Sequence, residues 1–205
     1  MKRTAILIAA LTGLLLTAQA QAQAPGKGFY MGLGYGTVWS DAGLIYPNTI
    51  NEDTSGAGKI YAGFMMNDNW GMEVGLQSLG RYELEFNNAK ISDMKTQALS
   101  VTAVYTKPLF DWGYNVNLRF GLAFTDARYT CVSDCGIGGA PGLLNIDSRK
   151  RGTSGTIGLG FTAVLSEDFS LRLDYDHFGS VHHRVDLTEY KDAYDVLSIS
   201  LQLLF

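Results

Sequence analysis

The sequence predicts an all-β chain that closes into an eight-stranded, up-and-down antiparallel barrel and crosses a membrane. Three observations lead to this prediction: eight segments alternate apolar and polar residues, short turns alternate with long polar connections, and the polar faces are rich in small residues. The 205 residues include 24 Gly, and 12% are aromatic. The chain is too apolar for disorder, and after its start it lacks the apolar runs of ~20 residues that mark helical membrane proteins.

The N-terminal segment predicts export from the cytoplasm. Lys2 and Arg3 precede a short apolar run at 5–16, and small residues with overlapping A-x-A sites follow. This is the plan of a secretory signal peptide. A retained membrane anchor is the weaker alternative, because the run is shorter than the ~18 residues that a spanning helix needs. We expect a cleaved signal peptide at 1–22 and a barrel domain at 23–205. The candidate cleavage sites follow Ala20, Ala22 and Ala24.

Each alternating segment predicts one strand with an apolar and a polar face. In the fifth segment, for example, Leu118, Phe120 and Leu122 alternate with Asn117 and Arg119. The eight segments in chain order are residues 29–39, 59–64, 70–77, 99–105, 115–124, 156–163, 169–176 and 197–205.

The connections between these segments are of two kinds. Tight turns are predicted at 67–69, 110–112 and 166–168, and long polar loops at 40–54, 80–93, 130–152 and 179–193. Short turns at one end and long loops at the other indicate an up-and-down meander. Closing the meander into a barrel removes the two exposed sheet edges.

The direction of the apolar faces decides between two kinds of barrel. A secreted lipocalin-like barrel, apolar inside and polar outside, would show the same alternation. The polar faces here carry Gly, Ser, Thr and Asn rather than the Lys and Glu of a soluble exterior. Aromatic residues also gather near the strand ends, and the chain stops on Leu-Gln-Leu-Leu-Phe. These features favour an apolar surface that faces a bilayer.

Three stretches of sequence carry a family resemblance. Gly-Phe-Tyr-Met-Gly-Leu-Gly-Tyr-Gly at 28–36 and Leu-Ser-Glu-Asp-Phe-Ser-Leu-Arg-Leu-Asp-Tyr at 165–175 resemble the eight-stranded outer-membrane barrels of the OmpA-like and opacity-protein group. The ending at 198–205 is similar to the signal that such proteins present to the barrel-assembly machinery, with Leu201, Leu203 and Phe205 as its apolar residues. The resemblance implies a bacterial outer-membrane location, short periplasmic turns, long extracellular loops, and contact with outer-membrane lipid and lipopolysaccharide.

Charged residues on the polar faces predict an ion-pair network in the lumen. Isolated charges are costly in a narrow, poorly hydrated space, so we expect at least one Arg–carboxylate pair. The alternative is a gate or selectivity ring. The residues are Lys59, Glu73, Arg119, Arg172 and Asp174.

The two cysteines predict a disulfide. Cys131 and Cys135 lie in the third long loop of an exported chain, where an even count favours a small loop staple. The alternative, a metal site, has little support because a C-x₃-C pair without further Cys or His ligands is a weak signal.

The histidines raise the question of an enzyme. His177, His182 and His183 are bunched near the end of the seventh segment, where they could bind Zn²⁺, or His177 could activate Ser180. Lipid A deacylases are also eight-stranded outer-membrane barrels, and they carry an H-x-S pair, but the spacing here is one residue longer, and Glu189 is a weak choice for the acid partner. We expect solvated loop histidines, no metal, no cofactor and no enzymatic activity.

Three classes of function remain at this stage. The leading one is a structural or surface-interaction barrel, adhesin- or antigen-like, whose loops meet an extracellular ligand. The alternatives are a small channel or carrier for small or hydrophobic solutes and, less favoured, a lipid A-modifying enzyme. Nucleic acid is not expected as a partner, because 16 Lys and Arg against 20 Asp and Glu leave a net charge of −4.

Overall fold

The described residues form a closed barrel of eight antiparallel strands. The computed structural model describes residues 28–40, 54–86, 89–109, 113–131, 148–185 and 188–205. The strands are β1 (Gly28–Ser40), β2 (Thr54–Met65), β3 (Trp70–Phe86), β4 (Ala89–Leu109), β5 (Tyr114–Cys131), β6 (Ser148–Val164), β7 (Phe169–Val185) and β8 (Thr188–Leu204). Each strand pairs with its neighbours in sequence, and β1 pairs with β8, so the predicted fold class is confirmed.

The strands are staggered by ten residues around the barrel. A path that starts at Trp39 on β1 and steps from each residue to its directly opposed partner runs through β8, β7 and the other strands to β2. It returns to β1 at Phe29, ten residues before its starting point. Eight strands with this stagger tilt by about 40° and enclose an interior just wide enough for side chains to fill. This stagger therefore leaves room for packed side chains rather than for a wide channel.

The apolar faces point outward, as predicted. On β5, the outward side chains of Leu118, Phe120 and Leu122 are 46%, 49% and 52% exposed, while Asn117 and Arg119 between them are buried in the lumen. Aromatic rings cluster on the outer face near the tight turns. Contacting pairs there are Phe29 with Phe64, Trp70 with Tyr105, and Tyr114 with Phe161. Such a ring of aromatic side chains is typical of the boundary of a bilayer.

The tight turns lie at one end of the barrel, which we call the turn end. Asn67 Oδ1 accepts hydrogen bonds from the backbone N–H groups of Asn69 and Trp70, which closes the first turn. In the last turn, Ser166 Oγ accepts one from the N–H of Phe169. The predicted turn at 110–112 lies outside the described residues. Across those residues, no helix is long and apolar enough to span a membrane.

The opposite end, which we call the loop end, corrects two of the expected loops. Residues 80–93 and 179–193 were expected to be loops, but most of them continue the strands as paired hairpins that reach Phe86 opposite Ala89 and Val185 opposite Thr188. The alternation of the sequence ends there because both faces of a strand beyond a bilayer meet water, whereas backbone pairing does not depend on such alternation. Residues 41–53, 132–147 and the predicted signal peptide lie outside the description.

Candidate functional site

Six charged side chains from four strands form one ion-pair network in the middle of the lumen. Arg172 contacts Glu73 through Nη1–Oε2 at 2.7 Å and Asp174 through Nε–Oδ2 at 2.8 Å. Lys59 Nζ lies 3.0 Å from Asp174 Oδ2 and 2.8 Å from Asp176 Oδ2. The structure therefore brings these charges together as one network rather than as separate pairs.

Arg119 completes the network from β5. Its Nη1 lies 2.5 Å from Asp174 Oδ1, and its Nη2 lies 2.7 Å from Asp176 Oδ1. Asp176 was not among the expected members. It lies two residues after Asp174 on the same face of β7, so the alternation of the strand would have identified it. Three cations now face three carboxylates, so the network is neutral as a whole. Each buried charge has at least one oppositely charged partner, which offsets the cost of removing it from water.

Two tyrosines hold the turn-side half of this network. Tyr30 Oη donates a hydrogen bond to Glu73 Oε2 at 3.1 Å, and Tyr61 Oη donates one to Gln202 Oε1 at 3.3 Å. The guanidinium carbon of Arg172 lies 3.8 Å from the centre of the Tyr61 ring, which places a cation over an aromatic face. These contacts fix the orientation of Arg172 toward Glu73.

Glycines on β6 make the room that the network needs. A Cβ on Gly158 would collide with Asp176 Oδ1, and one on Gly160 would lie 2.5 Å from Asp174 Oδ1 and 3.1 Å from Arg119 Nη1. The small residues that the sequence places on the polar faces thus serve a specific purpose, because the longer side chains of neighbouring strands occupy the space above them.

A second, apolar layer fills the lumen between the network and the loop end. The sequence predicted inward faces rich in Gly, Ser, Thr and Asn with scattered charges, and it did not predict this apolar layer. Phe178 follows Asp176 by two residues on β7, and Tyr194 lies directly opposite Phe178 on β8. The buried members of the cluster are Val38, Ala57, Leu79, Ala98, Ala123, Phe178, Tyr194 and Val196. They contribute hydrophobic contacts inside a barrel whose outer face is already apolar.

A cavity of about 880 Å³ opens below the network at the turn end. Its wall includes Asn117, Thr162, Ser170, Arg172 and Gln202. Along the lumen, a cavity is thus followed by a charged layer and then by an apolar layer. Within the described residues, the two layers occupy the lumen between this cavity and the loop end.

The remaining predicted site residues lie away from the lumen. Leu201 and Phe205 face outward at 49% and 46% exposure, and Leu203 is half-buried. The N–H of Phe205 donates to the carbonyl of Phe29 at 2.9 Å, which extends the seam between β1 and β8 to the end of the chain. The predicted recognition of these three residues during assembly stays a prediction.

Of the predicted cysteine and histidine sites, the structure describes the backbone of Cys131 and the side chain of His177. Cys131 is the last residue of β5, and Cys135 lies outside the described residues, so the disulfide stays a prediction. His177 faces outward, where its Nδ1 lies 2.8 Å from Asp195 Oδ1; Tyr175 Oη donates to the same oxygen at 2.7 Å. The side chains of residues 180–192 are outside the description. Among described side chains, no group of three His, Cys, Asp or Glu could hold a metal ion.

The comparisons with known proteins agree on one architecture. The family model described as "Outer membrane protein beta-barrel domain" matches residues 8–205. A search of curated protein sequences gives no match.

Solved structures with the same fold are remote in sequence. Neisserial surface protein A superposes with a TM-score of 0.61 at 17% identity, covering 86% of this chain and 97% of that one. The outer membrane protein OprG from Pseudomonas aeruginosa gives 0.62 at 16% identity, covering 88% and 96%. The attachment invasion locus protein Ail of Yersinia pestis gives 0.51 at 13% identity, covering 87% and 99%. At these identities the likeness shows the fold alone.

Proposed function

Because the chain belongs to the outer membrane protein beta-barrel domain family and therefore has its place in the bacterial outer membrane, we propose that it is a closed barrel that acts through its extracellular end. The observation that carries this proposal is the filled lumen. A neutral network of six charges and an apolar layer above it leave the barrel interior to packing rather than transport. The surface that remains for contact with other molecules is the loop end.

The paired hairpins at the loop end support an adhesin-like role. Among the described side chains of β3, Leu76 is the last apolar one that faces outward, and the strand continues to Phe86, ten residues further. At about 3.3 Å per residue, this extension raises the β3–β4 hairpin well clear of the bilayer. The β7–β8 hairpin projects in the same way to Val185 and Thr188. Ordered projections of this kind suit recognition of an extracellular ligand or cell better than passive coverage.

The names of the structural relatives point in the same direction. One is called a surface protein and another an attachment invasion locus protein. None of the three relatives described above is named for a reaction. We carry over only the general idea of a surface-exposed, non-enzymatic barrel.

A carrier for small solutes is the second candidate, and the turn-end cavity of about 880 Å³ favours it. Such a carrier would have to move both lumen layers, whereas a surface-interaction protein needs neither to move. The filled lumen therefore ranks the carrier below the surface role.

Shortened hairpins test the proposal. Replacing residues 82–94 by Asn-Gly joins Arg81 to Lys95 through a two-residue turn, and replacing 182–191 by Asn-Gly joins Val181 to Asp192. Bacteria that display the shortened barrel should lose the adhesion to cultured cells that the intact chain confers, while the barrel keeps its heat-modifiable mobility on gels. Equal adhesion by both proteins would refute the proposal. A steady conductance of the intact protein in planar bilayers would replace it with the channel alternative.

A further inference from the structure

The outer face of the barrel carries a row of cations near the loop end. Lys95 on β4 lies directly opposite Arg128 on β5, which in turn lies directly opposite Arg149 on β6. Arg151 follows Arg149 by two residues and lies opposite Asp126. The four cations are all exposed. The four cations come from three strands, β4, β5 and β6, and only the register of these strands aligns them.

Among the described side chains, these four cations have one carboxylate beside them, Asp126. Arg149 pairs with Asp126, and the hydrogen bond from Arg149 holds the pKa of this carboxyl below its usual value. Among the side chains that the structure describes, no carboxylate lies within ion-pair distance of Lys95, Arg128 or Arg151, and Asp126 acts on the two arginines only from further away. Like charges directly opposite on neighbouring strands repel each other. A bound anion would relieve that repulsion, and the row stands out on a chain of net charge −4.

An apolar groove adjoins the row on its membrane side. This cavity of about 540 Å³ is lined by Leu76, Leu99 and Phe124, and its polar end is formed by Asp126 and Arg151. The groove lies on the outward face, where the apolar belt of the barrel ends and the cations begin. An apolar groove that ends at Arg151, with Lys95 and Arg128 beyond it on the same face, is complementary to an amphiphile with an anionic headgroup.

We propose that this face of β3–β6 binds a phosphorylated lipid of the outer leaflet, with the phosphate held by Lys95, Arg128 and Arg151 and an acyl chain in the groove. Guanidinium groups suit phosphate because they offer paired N–H donors in a planar fork. The headgroup sits where the bilayer surface meets the barrel, so the lipid needs no route into the lumen. This site does not depend on an adhesive role of the hairpins, and it would remain if that role were refuted.

Neutral variants of the row provide the first test. The intact protein and the K95Q/R128Q/R151Q variant are placed in nanodiscs of zwitterionic lipid and titrated with bisphosphorylated lipid A. We expect at least tenfold weaker binding for the variant. K107Q, an exposed change on the same strand at the turn end, is the matched control and should stay within twofold. All three side chains are exposed and the Arg149–Asp126 pair is kept, so the triple variant should fold, which heat-modifiable mobility verifies. Unchanged affinity in the triple variant would overturn the site.

A variant of the groove distinguishes the binding of a lipid from the binding of other anions. F124S removes apolar lining and should weaken lipid A binding at least threefold while leaving the weak binding of inorganic phosphate unchanged. Dephosphorylated lipid A should bind no better to the intact protein than to the triple variant. Inorganic phosphate as tight as lipid A would overturn the lipid assignment. A sulfated polysaccharide that binds as tightly as lipid A and is insensitive to F124S would also overturn it, in favour of a soluble polyanion.

Discussion

Arg172 on β7 and Glu73 on β3 meet from opposite walls of the barrel. Three strands lie between β3 and β7 on either side of the barrel, so these side chains span the full diameter of the lumen. They do so through two hydrogen bonds, Nη1–Oε2 at 2.7 Å and Nη2–Oε1 at 3.1 Å. A bidentate pair across the lumen ties opposite walls together without any backbone contact between them.

A double-mutant cycle measures this connection. We expect Glu73→Gln and Arg172→Met each to cost about 3–5 kcal/mol, because each leaves a buried charge without its main partner. The double variant should cost clearly less than the sum, and urea unfolding in lipid vesicles measures all four proteins. The cycle of Glu73→Gln with Arg119→Met is the internal control, since Arg119 bonds to Asp174 and Asp176 instead. Equal coupling in the two cycles would contradict the observed partners.

The outward apolar face predicts a depth-dependent cost for charge. Leu118→Arg places a guanidinium on the lipid face near the middle of β5 and should cost roughly 2–4 kcal/mol. Leu165→Arg at the turn end, where the side chain is 62% exposed, should cost no more than about 1 kcal/mol. Urea unfolding in vesicles compares the two. A larger penalty at Leu165 would mean that the bilayer does not cover Leu118.

The β6 glycines predict a contrast between two alanine substitutions. Gly158→Ala pushes a methyl group into Asp176 and should destabilise the barrel by about 1–3 kcal/mol. Gly155→Ala, on the outward face of the same strand with nothing within 4 Å of its added Cβ, should be neutral or slightly stabilising. The free energy of unfolding of both variants is the readout. Equal costs would indicate that the strand backbone, rather than the network, requires glycine.

The end of β8 predicts a defect in assembly rather than in stability. Phe205→Ala keeps the backbone bond from residue 205 to Phe29 and removes only the exposed ring. We expect less folded protein in the outer membrane of cells, with export unchanged and with refolding into lipid vesicles close to that of the intact chain. Leu165→Ala, which removes an exposed apolar side chain at the same end, is the control. A matching loss in refolding would assign Phe205 a structural role instead.

The sequence predicts the membrane-facing part of each strand well, because a bilayer outside and a polar lumen inside require apolar and polar residues to alternate there. Beyond the bilayer this constraint ends, which is why the pairing of Arg81 with Lys95 and onward to Phe86 was not predicted. The alternation also shows which charged side chains point into the lumen, but it does not show which cation pairs with which carboxylate. The pairing of Glu73 with Arg172 depends on the stagger of the closed barrel, and no local pattern contains that stagger. The inward direction of Phe178 could have been predicted, because it continues the alternate positions of Asp174 and Asp176 on the same strand.

Because the barrel closes with a ten-residue stagger, the lumen charges help to select the correct register between β1 and β8. A slip of one residue between β1 and β8 would turn apolar side chains inward and would be rejected by the bilayer, but a slip of two residues preserves inside and outside. Such a slip would change the stagger of the closed barrel by two residues, and with it the tilt of the strands and the heights at which side chains from opposite walls meet. Arg172 would then miss Glu73, and Lys59 would lose its carboxylates, which would leave charges stranded in a dry interior. The buried charges thereby distinguish the correct closure from a near neighbour that the apolar pattern alone would accept.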